Sequence, residues 1–237
     1  MADQPSPKRL VVAIDGPAGA GKSTTARLLA ARLGYDLLDT GAIYRVMALL
    51  SRRAGVAWDD GPGVARLADG LDLKFRLQDG VNHVIIEVGS TGSVDVTKEI
   101  RTPEMSDGAS RVSALPEVRA ALLGIQRRLG AQGGVIVEGR DIGTVVFPDA
   151  GAKFFLTANT DERARRRVAE LQAAGRPADF EKTRAEMRER DERDSTRAVA
   201  PLKQAPDAIP VDSSGLTPDE VVDKMAALVA SRSGPAH

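Results

Sequence analysis

The segment from Gly16 to Ser23 constrains this chain more than any other part of its sequence. It reads Gly-Pro-Ala-Gly-Ala-Gly-Lys-Ser and matches the pattern G-x-x-x-x-G-K-[ST]. A wholly apolar run, Leu10 to Ile14, precedes it, and apolar residues repeat at helical spacing from Ser23 to Leu33. A glycine-rich turn between a buried strand and a helix directs backbone amides around a phosphate group. The sequence therefore predicts a strand, a phosphate-binding loop and a helix.

Two side chains at the end of this segment supply the chemistry that the pattern implies. Lys22, expected in the loop and outside the core, can reach the β- and γ-phosphates, and the Ser23 hydroxyl can hold Mg²⁺. The dipole at the start of the helix adds to the attraction for anions. The sequence thus predicts a site for ATP with Mg²⁺. Its predicted residues are Gly16, Pro17, Ala18, Gly19, Ala20, Gly21, Lys22, Ser23 and Thr24.

Motifs and residue types that are missing from the sequence limit the reactions in which the triphosphate could be used. A guanine-reading Asn-Lys-x-Asp segment is missing, since Asn159-Thr160-Asp161 does not supply it. The 237 residues are few for a helicase or a transporter ATPase. The absence of cysteine and the presence of only two histidines exclude disulfides, thiolate nucleophiles and multi-histidine metal sites. Phosphoryl transfer to a small acceptor fits these limits.

Charge and hydropathy bear on partners and location. Lys plus Arg and Asp plus Glu both total 33, so the formal net charge is zero and a nucleic-acid partner is not expected. No apolar run approaches the ~18 residues that would span a bilayer, and the start of the chain has no hydrophobic signal core. We expect a monomeric, cytoplasmic protein without a membrane partner.

Short apolar runs separated by helical stretches predict an α/β fold. Because these runs are continuous rather than alternating, they indicate a parallel sheet covered on both faces. After the first run they are Leu37 to Asp39, Val135 to Glu138, Lys153 to Leu156 and Ala208 to Val211. The residues Thr217, Pro218 and Glu220 are typical of a capping box that starts a final helix.

Residues 71 to 96 show a different pattern of apolar and polar residues from the rest of the chain. Apolar and charged residues alternate from Leu71 to Leu77, and Asp79-Gly80 is typical of a hairpin turn. The run from Val84 to Val88 returns, and Val94 to Val96 adds a third candidate strand. A small antiparallel sheet is therefore predicted as an insertion.

Two polar clusters follow strands at the carboxyl edge of the predicted sheet, where ligands bind. In the first, either Asp39 and Thr40 merely cap a helix while Arg45 is solvated, or Arg45 binds the phosphate of an acceptor. In the second, Glu138 can hold Mg²⁺ or its bound water, and Asp141 follows at the same edge. The alternative for the second cluster is a strand-end turn with a surface ion pair.

Two arginine-rich stretches, Arg163 to Arg167 and Arg184 to Arg197, are predicted to be helical and are interleaved with acidic residues. Solvated helix faces account for most of these arginines. The short connection from Gln172 to Pro177 nevertheless suggests a lid hairpin. Its closure would bring cations to the transferring phosphoryl group and exclude water.

Taken in order, these clusters resemble the bacterial cytidylate kinase family. The resemblance runs from about Leu10 to Arg232 and includes the arginine-rich segment from Arg190 to Leu202. It implies transfer of the ATP γ-phosphoryl group to CMP or dCMP, giving CDP or dCDP. It also implies a P-loop three-layer fold with a five-stranded parallel sheet of order 2-3-1-4-5, the small antiparallel β insertion and a helical lid.

The resemblance further implies one domain over residues 1–237. Its core would comprise about 9–45, 120–160 and 198–232, its acceptor-binding region about 46–119, and its lid about 161–197. In the acceptor-binding region Thr40 and Arg45 would meet the nucleotide, with Arg45 on its phosphate. Ser110, Arg119 and Asp141 would read the edge of the cytosine. Asp141 can accept a hydrogen bond from the cytosine amino group, and Arg119 can donate to O2 or N3.

The remaining implied roles concern phosphate, sugar and lid. Arg140 and Arg190 would hold phosphate, Asp194 and Arg197 would reach the sugar hydroxyls, and Arg166 would belong to the lid. Thr40 stands where other members have Ser, and Glu138 where others have Asp, but both keep the chemical group. The implied catalytic residues are Lys22, Arg140, Arg166 and Arg190.

Two other functions stay open at this point. One is a P-loop kinase with another small acceptor, such as UMP, AMP or shikimate. The other is an ATP-binding switch protein without transfer activity. Turnover that depends on an added acceptor distinguishes them.

Overall fold

The computed structural model describes residues 9–87 and 92–233. Its strands form at the predicted positions, within about three residues at each end. The strands are β1 (Val11–Asp15), β2 (Asp36–Asp39), β3 (Asp72–Gln78), β4 (Val81–Glu87), β5 (Ser93–Asp95), β6 (Val135–Gly139), β7 (Ala152–Thr157) and β8 (Ile209–Asp212).

Eight α-helices lie between and after these strands in the described residues. They are α1 (Lys22–Leu33), α2 (Thr40–Arg53), α3 (Gly61–Arg66), α4 (Pro103–Val112), α5 (Pro116–Gly130), α6 (Thr160–Ala173), α7 (Phe180–Thr196) and α8 (Pro218–Arg232). The predicted capping box at α8 is confirmed, because the Thr217 side chain and the Glu220 side chain each accept from the other residue's backbone N–H.

Five parallel strands form the central sheet in the order β2-β6-β1-β7-β8. Counted among these five strands alone, this is the predicted order 2-3-1-4-5, which is confirmed. Alternate residues of β1 serve opposite faces: Val12 and Ile14 pack with α1 and α8, and Ala13 packs with α2, α4 and α5. Both faces of the sheet are therefore covered, as continuous apolar strands require.

The predicted insertion is also confirmed. The strands β3, β4 and β5 form an antiparallel sheet in this order, and Gln78 pairs with Val81 across the two-residue turn at Asp79 and Gly80. The end of the run predicted through Val88 lies outside the described residues. Among the residues that are described, no helix is long and apolar enough to cross a membrane.

Candidate active site

The carboxyl ends of the central strands open into a cleft with a volume of about 1680 Å³. Its walls come from the glycine-rich loop before α1, from α2 and α4, from the β3–β4 turn, and from the hairpin of α6 and α7. The structure brings nearly all the residues singled out in the sequence to this cleft. The exceptions are Gly16 and Pro17, which do not line it.

Lys22 is buried and is the first residue of α1. The expectation that it lies in the loop and outside the core is therefore wrong, because Gly21 already occupies the N-cap position and the helix begins one residue later. Its Nζ donates a hydrogen bond of 2.7 Å to the carbonyl oxygen of Pro17. Burial, together with the charge of Arg140, lowers the pKa of Lys22 to about 7. A polyphosphate beside Nζ would favour the charged form.

Two carboxylates meet at the edge of the sheet because β2 and β6 are parallel neighbours that place Asp39 opposite Glu138. The hydroxyl of Ser23 donates a hydrogen bond of 2.9 Å to Glu138 Oε2. Burial, and then the like charge of Asp39, raise the pKa of Glu138 to about 7. A hydroxyl and a carboxylate side by side, both in the cleft wall, are oxygen ligands of the kind that Mg²⁺ takes.

The helix cap expected at Asp39 is present, but the solvated Arg45 that was expected with it is not. Asp39 caps α2 by accepting from the N–H of Ala42 at 2.9 Å, and its other oxygen lies 3.2 Å from Arg45 Nη2. The Arg45 side chain is only 19% exposed and lines the cleft, so it is not a solvated surface arginine. Thr40 is buried and donates its hydroxyl to the carbonyl oxygen of Glu138 at 2.7 Å.

Further along the cleft, Asp141 is buried between two arginines. Arg119 forms an ion pair with its Oδ2, and Arg197 Nη2 lies 3.1 Å from its Oδ1. Burial raises the pKa of Asp141, and these arginines oppose that shift. The guanidinium of Arg119 lies 5.6 Å from the ring centroid of Tyr44, which also lines the cleft. The third predicted base-reading residue, Ser110, is buried and accepts from Arg193 Nη1 at 3.1 Å.

The predicted phosphate-binding arginines also line the cleft. Arg140, just after β6, places its Nε 2.8 Å from Asp194 Oδ2 on α7. Arg190 is half-buried, and its buried Nε has no hydrogen-bond partner among the described residues. Burial, and then the charge of Arg140, lower the pKa of Arg190 to about 10. Arg140 and Arg190 are thus two neighbouring cations, and one buried N–H group of Arg190 has no partner among the described residues. This arrangement suits the binding of an anion.

Helices α6 and α7 form the hairpin that the sequence predicts. Arg166 on α6 donates to the hydroxyl of Ser213 at 3.0 Å and to its carbonyl oxygen at 2.8 Å. Ser213 follows β8, and its hydroxyl in turn donates to the carbonyl oxygen of Ala20 at 3.1 Å. In this conformation Arg166 thus bonds to the core of the protein, next to the glycine-rich loop.

Several residues that shape the site were missed in the sequence. Asp15, at the end of β1, accepts from the N–H groups of Ile142 and Gly143, both at 2.8 Å, and so fixes the π-helical turn that follows Asp141. Burial raises the pKa of Asp15 to about 6. The position of Asp15 directly before Gly16 could have marked it as a site residue. No rule of sequence spacing, however, predicts that its partners are the N–H groups of Ile142 and Gly143, which follow a different strand. Arg163 belongs to a stretch whose arginines were mostly assigned to solvated faces, and it is an exception because it is buried.

A parallel sheet with a glycine-rich phosphate loop, a cleft lined by arginines and a helical hairpin over that cleft defines the class of ATP-dependent P-loop phosphotransferases. The particular family follows from comparison with known proteins. The sequence model of the family described as cytidylate kinase matches residues 12–231. The chain belongs to the cytidylate kinase family, and its function is that of a cytidylate kinase.

Individual relatives agree with this assignment. The chain is 53% identical over 223 residues to a cytidylate kinase of Geobacter sp. (strain M21), with 94% of each chain covered. It is 48% identical over 225 residues to that of Syntrophotalea carbinolica, covering 95% of this chain and 94% of the relative. An uncharacterized protein from Eubacterium ventriosum has a similar structure, with a TM-score of 0.51, 12% identity, and 93% and 98% of the two chains covered. This last likeness concerns the fold alone.

Proposed function

We propose that this chain transfers the γ-phosphoryl group of Mg-ATP to CMP and dCMP, giving CDP and dCDP. The observation that carries this proposal is that Lys22 and the Arg119–Asp141 pair line one cleft, with Arg140 and Arg190 in the same lining. One side fits a triphosphate, and the other offers a carboxylate and a guanidinium to a base. Arg140 and Arg190 would contact the phosphoryl group as it passes from donor to acceptor.

On the donor side, the backbone amides from Gly16 to Ser23 surround the triphosphate, and Lys22 donates to its β- and γ-phosphates in place of its bond to Pro17. Arg166 closes on the donor from α6. On the acceptor side, Arg45 binds the phosphate and Thr40 contacts the nucleotide. Ser110 and the Arg119–Asp141 pair contact the cytosine, while Asp194 and Arg197 bind the sugar.

Cytosine is selected by the direction of its hydrogen bonds. Asp141 accepts from the amino group at C4, and Arg119 donates to O2 or N3. Uracil has a carbonyl oxygen at C4, which cannot donate to Asp141 and would bring one acceptor against another, although Arg119 and Arg197 still donate to the carboxylate. The lost hydrogen bond and the desolvated carbonyl oxygen cost ~1–3 kcal/mol, or roughly 5- to 150-fold in kcat/KM.

The transfer itself needs alignment and positive charge more than covalent help. An oxygen of the acceptor phosphate forms a bond to the γ-phosphorus while the bond to the β,γ-bridging oxygen breaks, and ADP leaves. Arg140 and Arg190 stabilise the charge that spreads over the moving group, with Asp194 orienting Arg140 at 2.8 Å. The acceptor phosphate is already ionised near neutral pH, so no general base is required.

The residues present fit a magnesium ion beside the loop. Ser23 would hold it directly and Glu138 through water, since their oxygens lie 2.9 Å apart at the cleft wall. Among the described residues no group of three or more His, Cys, Asp or Glu side chains could hold a metal. That matches an ion bound largely by substrate phosphates and water. When bound, Mg²⁺ neutralises charge on the triphosphate.

A panel of acceptors tests the proposal. ADP release is followed in a coupled assay with Mg-ATP and CMP, dCMP, UMP, AMP, shikimate or no acceptor. CMP and dCMP should support turnover, with kcat/KM at least ~5-fold above that of UMP. Equal kcat/KM for CMP and UMP would remove the proposed role of Asp141. ATP binding without any acceptor-dependent turnover would favour a switch protein instead. A monomeric state and a cytoplasmic location stay predictions, and sedimentation of the purified protein tests the former.

A further inference from the structure

Arg163 is buried near the start of α6, and the reaction described above makes no use of it. Four of the five N–H groups of its guanidinium nevertheless donate hydrogen bonds. Nε donates to Ala158 O at 3.1 Å and Nη2 to Thr160 Oγ1 at 3.3 Å, both within its own segment. Nη1 donates to two distant groups, Ala18 O at 3.0 Å and Asp191 Oδ2 at 2.5 Å. One side chain therefore connects three separate parts of the chain.

The two distant partners belong to opposite halves of the proposed reaction. Ala18 lies in the glycine-rich loop that is proposed to bind the triphosphate. Asp191 lies on α7, directly after Arg190 and one helical turn before Asp194, which pairs with Arg140. On a rigid helix, fixing Asp191 also fixes the residues that flank it.

The glycine-rich loop also packs closely against α6 and α7 near Arg163. A Cβ added to Gly19 would lie 2.7 Å from Met187 Cε on α7 and 3.2 Å from Arg163 Cβ. The loop therefore touches both helices of the hairpin, and a side chain at Gly19 would displace the end of Met187 and press on Arg163. Arg163 is buried and the side chain of Asp191 is only 21% exposed, so solvent screens their charges weakly.

We propose that Arg163 is a positioning residue that holds the triphosphate loop and the acceptor-binding part of α7 at a fixed separation. It touches neither substrate and acts through Ala18 and Asp191. This inference rests on the proposed function, because alignment matters only if donor and acceptor occupy the two sides. Arginine suits the task, since it stays charged when buried and its planar fork serves several acceptors at once.

The test is a double-mutant cycle on the full-length protein with Arg163→Met, Asp191→Asn and the combined variant. Each single change should lower kcat by ~10- to 100-fold, because small misplacements of reacting groups have effects of this size. The affinity for ATP, measured by calorimetry, should change by less than about threefold, since the loop amides remain. The combined variant should be no slower than the slower single variant, because both changes remove the same link.

Controls separate positioning from folding. Arg165→Met removes an exposed arginine of the same helix, which has one 3.5 Å contact with Glu162, and should leave kcat unchanged. Melting curves give the folded fraction, and kcat is expressed per folded molecule. Arg163→Lys keeps a charged donor for Asp191 and should recover part of the loss. Arg163→Gln, which has neither the charge nor the guanidinium fork, replaces Arg163→Met in the cycle if that variant does not fold.

The outcomes are distinct. Losses that multiply in the combined variant, or a kcat per folded molecule within twofold of the wild type, overturn the positioning role. Failure of the wild type to use CMP instead overturns the proposed acceptor. In that case the cycle is run with whichever acceptor the wild type phosphorylates, and the same criteria apply to Arg163.

Discussion

Arg119 and Asp141 form a buried ion pair across the acceptor side of the cleft. Arg119 comes from the first turn of α5 and Asp141 from the turn after β6. Each has one further partner near the pair: Arg119 donates to Ser113 O at 3.3 Å, and Asp141 accepts from Arg197 at 3.1 Å. The pair thus presents a donor and an acceptor that are already oriented before any base arrives, which lowers the entropy lost on binding.

Arg119→Ala should impair the use of CMP more than the binding of ATP. A hydrogen bond to a charged group contributes ~1.5–3 kcal/mol, so KM for CMP should rise by roughly 10- to 150-fold. KM for ATP should stay within about threefold, because the loop before α1 is unchanged. Steady-state kinetics with each substrate varied measure both values. Arg111→Ala, an exposed arginine that lies over Trp58, is the matched control. A parallel loss for both substrates would place Arg119 elsewhere in the mechanism.

Lys22→Met should separate activity from stability. We expect kcat to fall by ~10²- to 10³-fold, because a charge aimed at the transferring group is lost. The melting temperature should hold or rise, since burial lowers the pKa of Lys22 to about 7 and an apolar side chain avoids the cost of burying a charge. Lys224→Met on the exposed face of α8 is the control. A folded Lys22→Met protein with wild-type kcat would contradict the donor assignment.

Gly19→Ala should damage ATP use through a steric clash. Gly19 has φ of +73°, and its new Cβ would meet Met187 at 2.7 Å. The end of the Met187 side chain can turn away, but Cβ and the carbonyl oxygen of Arg163, both at 3.2 Å, must give by a few tenths of an ångström, so kcat/KM for ATP should fall by roughly 10-fold. Gly34 has φ of +63° but open space around it, so Gly34→Ala adds the backbone strain without the clash. It should lower stability by ~1–2 kcal/mol and leave ATP kinetics unchanged. Equal kinetic effects of both changes would assign the defect to strain.

Asp15→Asn should change how stability depends on pH. Burial raises the pKa of Asp15 from 3.8 in the unfolded chain to about 6 in the folded protein. Its stabilising contribution is therefore complete below pH 3.8 and is lost as the pH rises through 6. The variant lacks this loss but leaves one of the N–H groups of Ile142 and Gly143 without its acceptor.

The free energy of unfolding of the wild type should accordingly exceed that of Asp15→Asn most near pH 4. The difference should shrink by up to ~3 kcal/mol by pH 7. Urea denaturation at intervals across this range measures it. A difference that does not vary with pH would mean that Asp15 is ionised throughout.

Much of the architecture could be read from local patterns. The strand, loop and helix around Gly16 to Ser23, the strand order implied by the family resemblance, the three-stranded insertion and the capped helix at Thr217 are all present. Residues that end parallel strands, such as Asp39 and Glu138, also had to share one edge of the sheet. Site residues within helices were harder to predict. Ser110 and Arg119 were identified through the family resemblance alone, because nothing in helical spacing marks a polar residue as facing a cleft.

The sequence by itself determined the elements, their order and the chemistry of the phosphate loop, because glycine placement, apolar period and capping residues act over a few neighbouring positions. Only the tertiary structure decided that Asp15 supports the turn after Asp141 and that Arg163 links Ala18 to Asp191. These contacts join residues far apart in the chain. They depend on how whole faces pack, and burial then turns otherwise ordinary charged residues into specific partners.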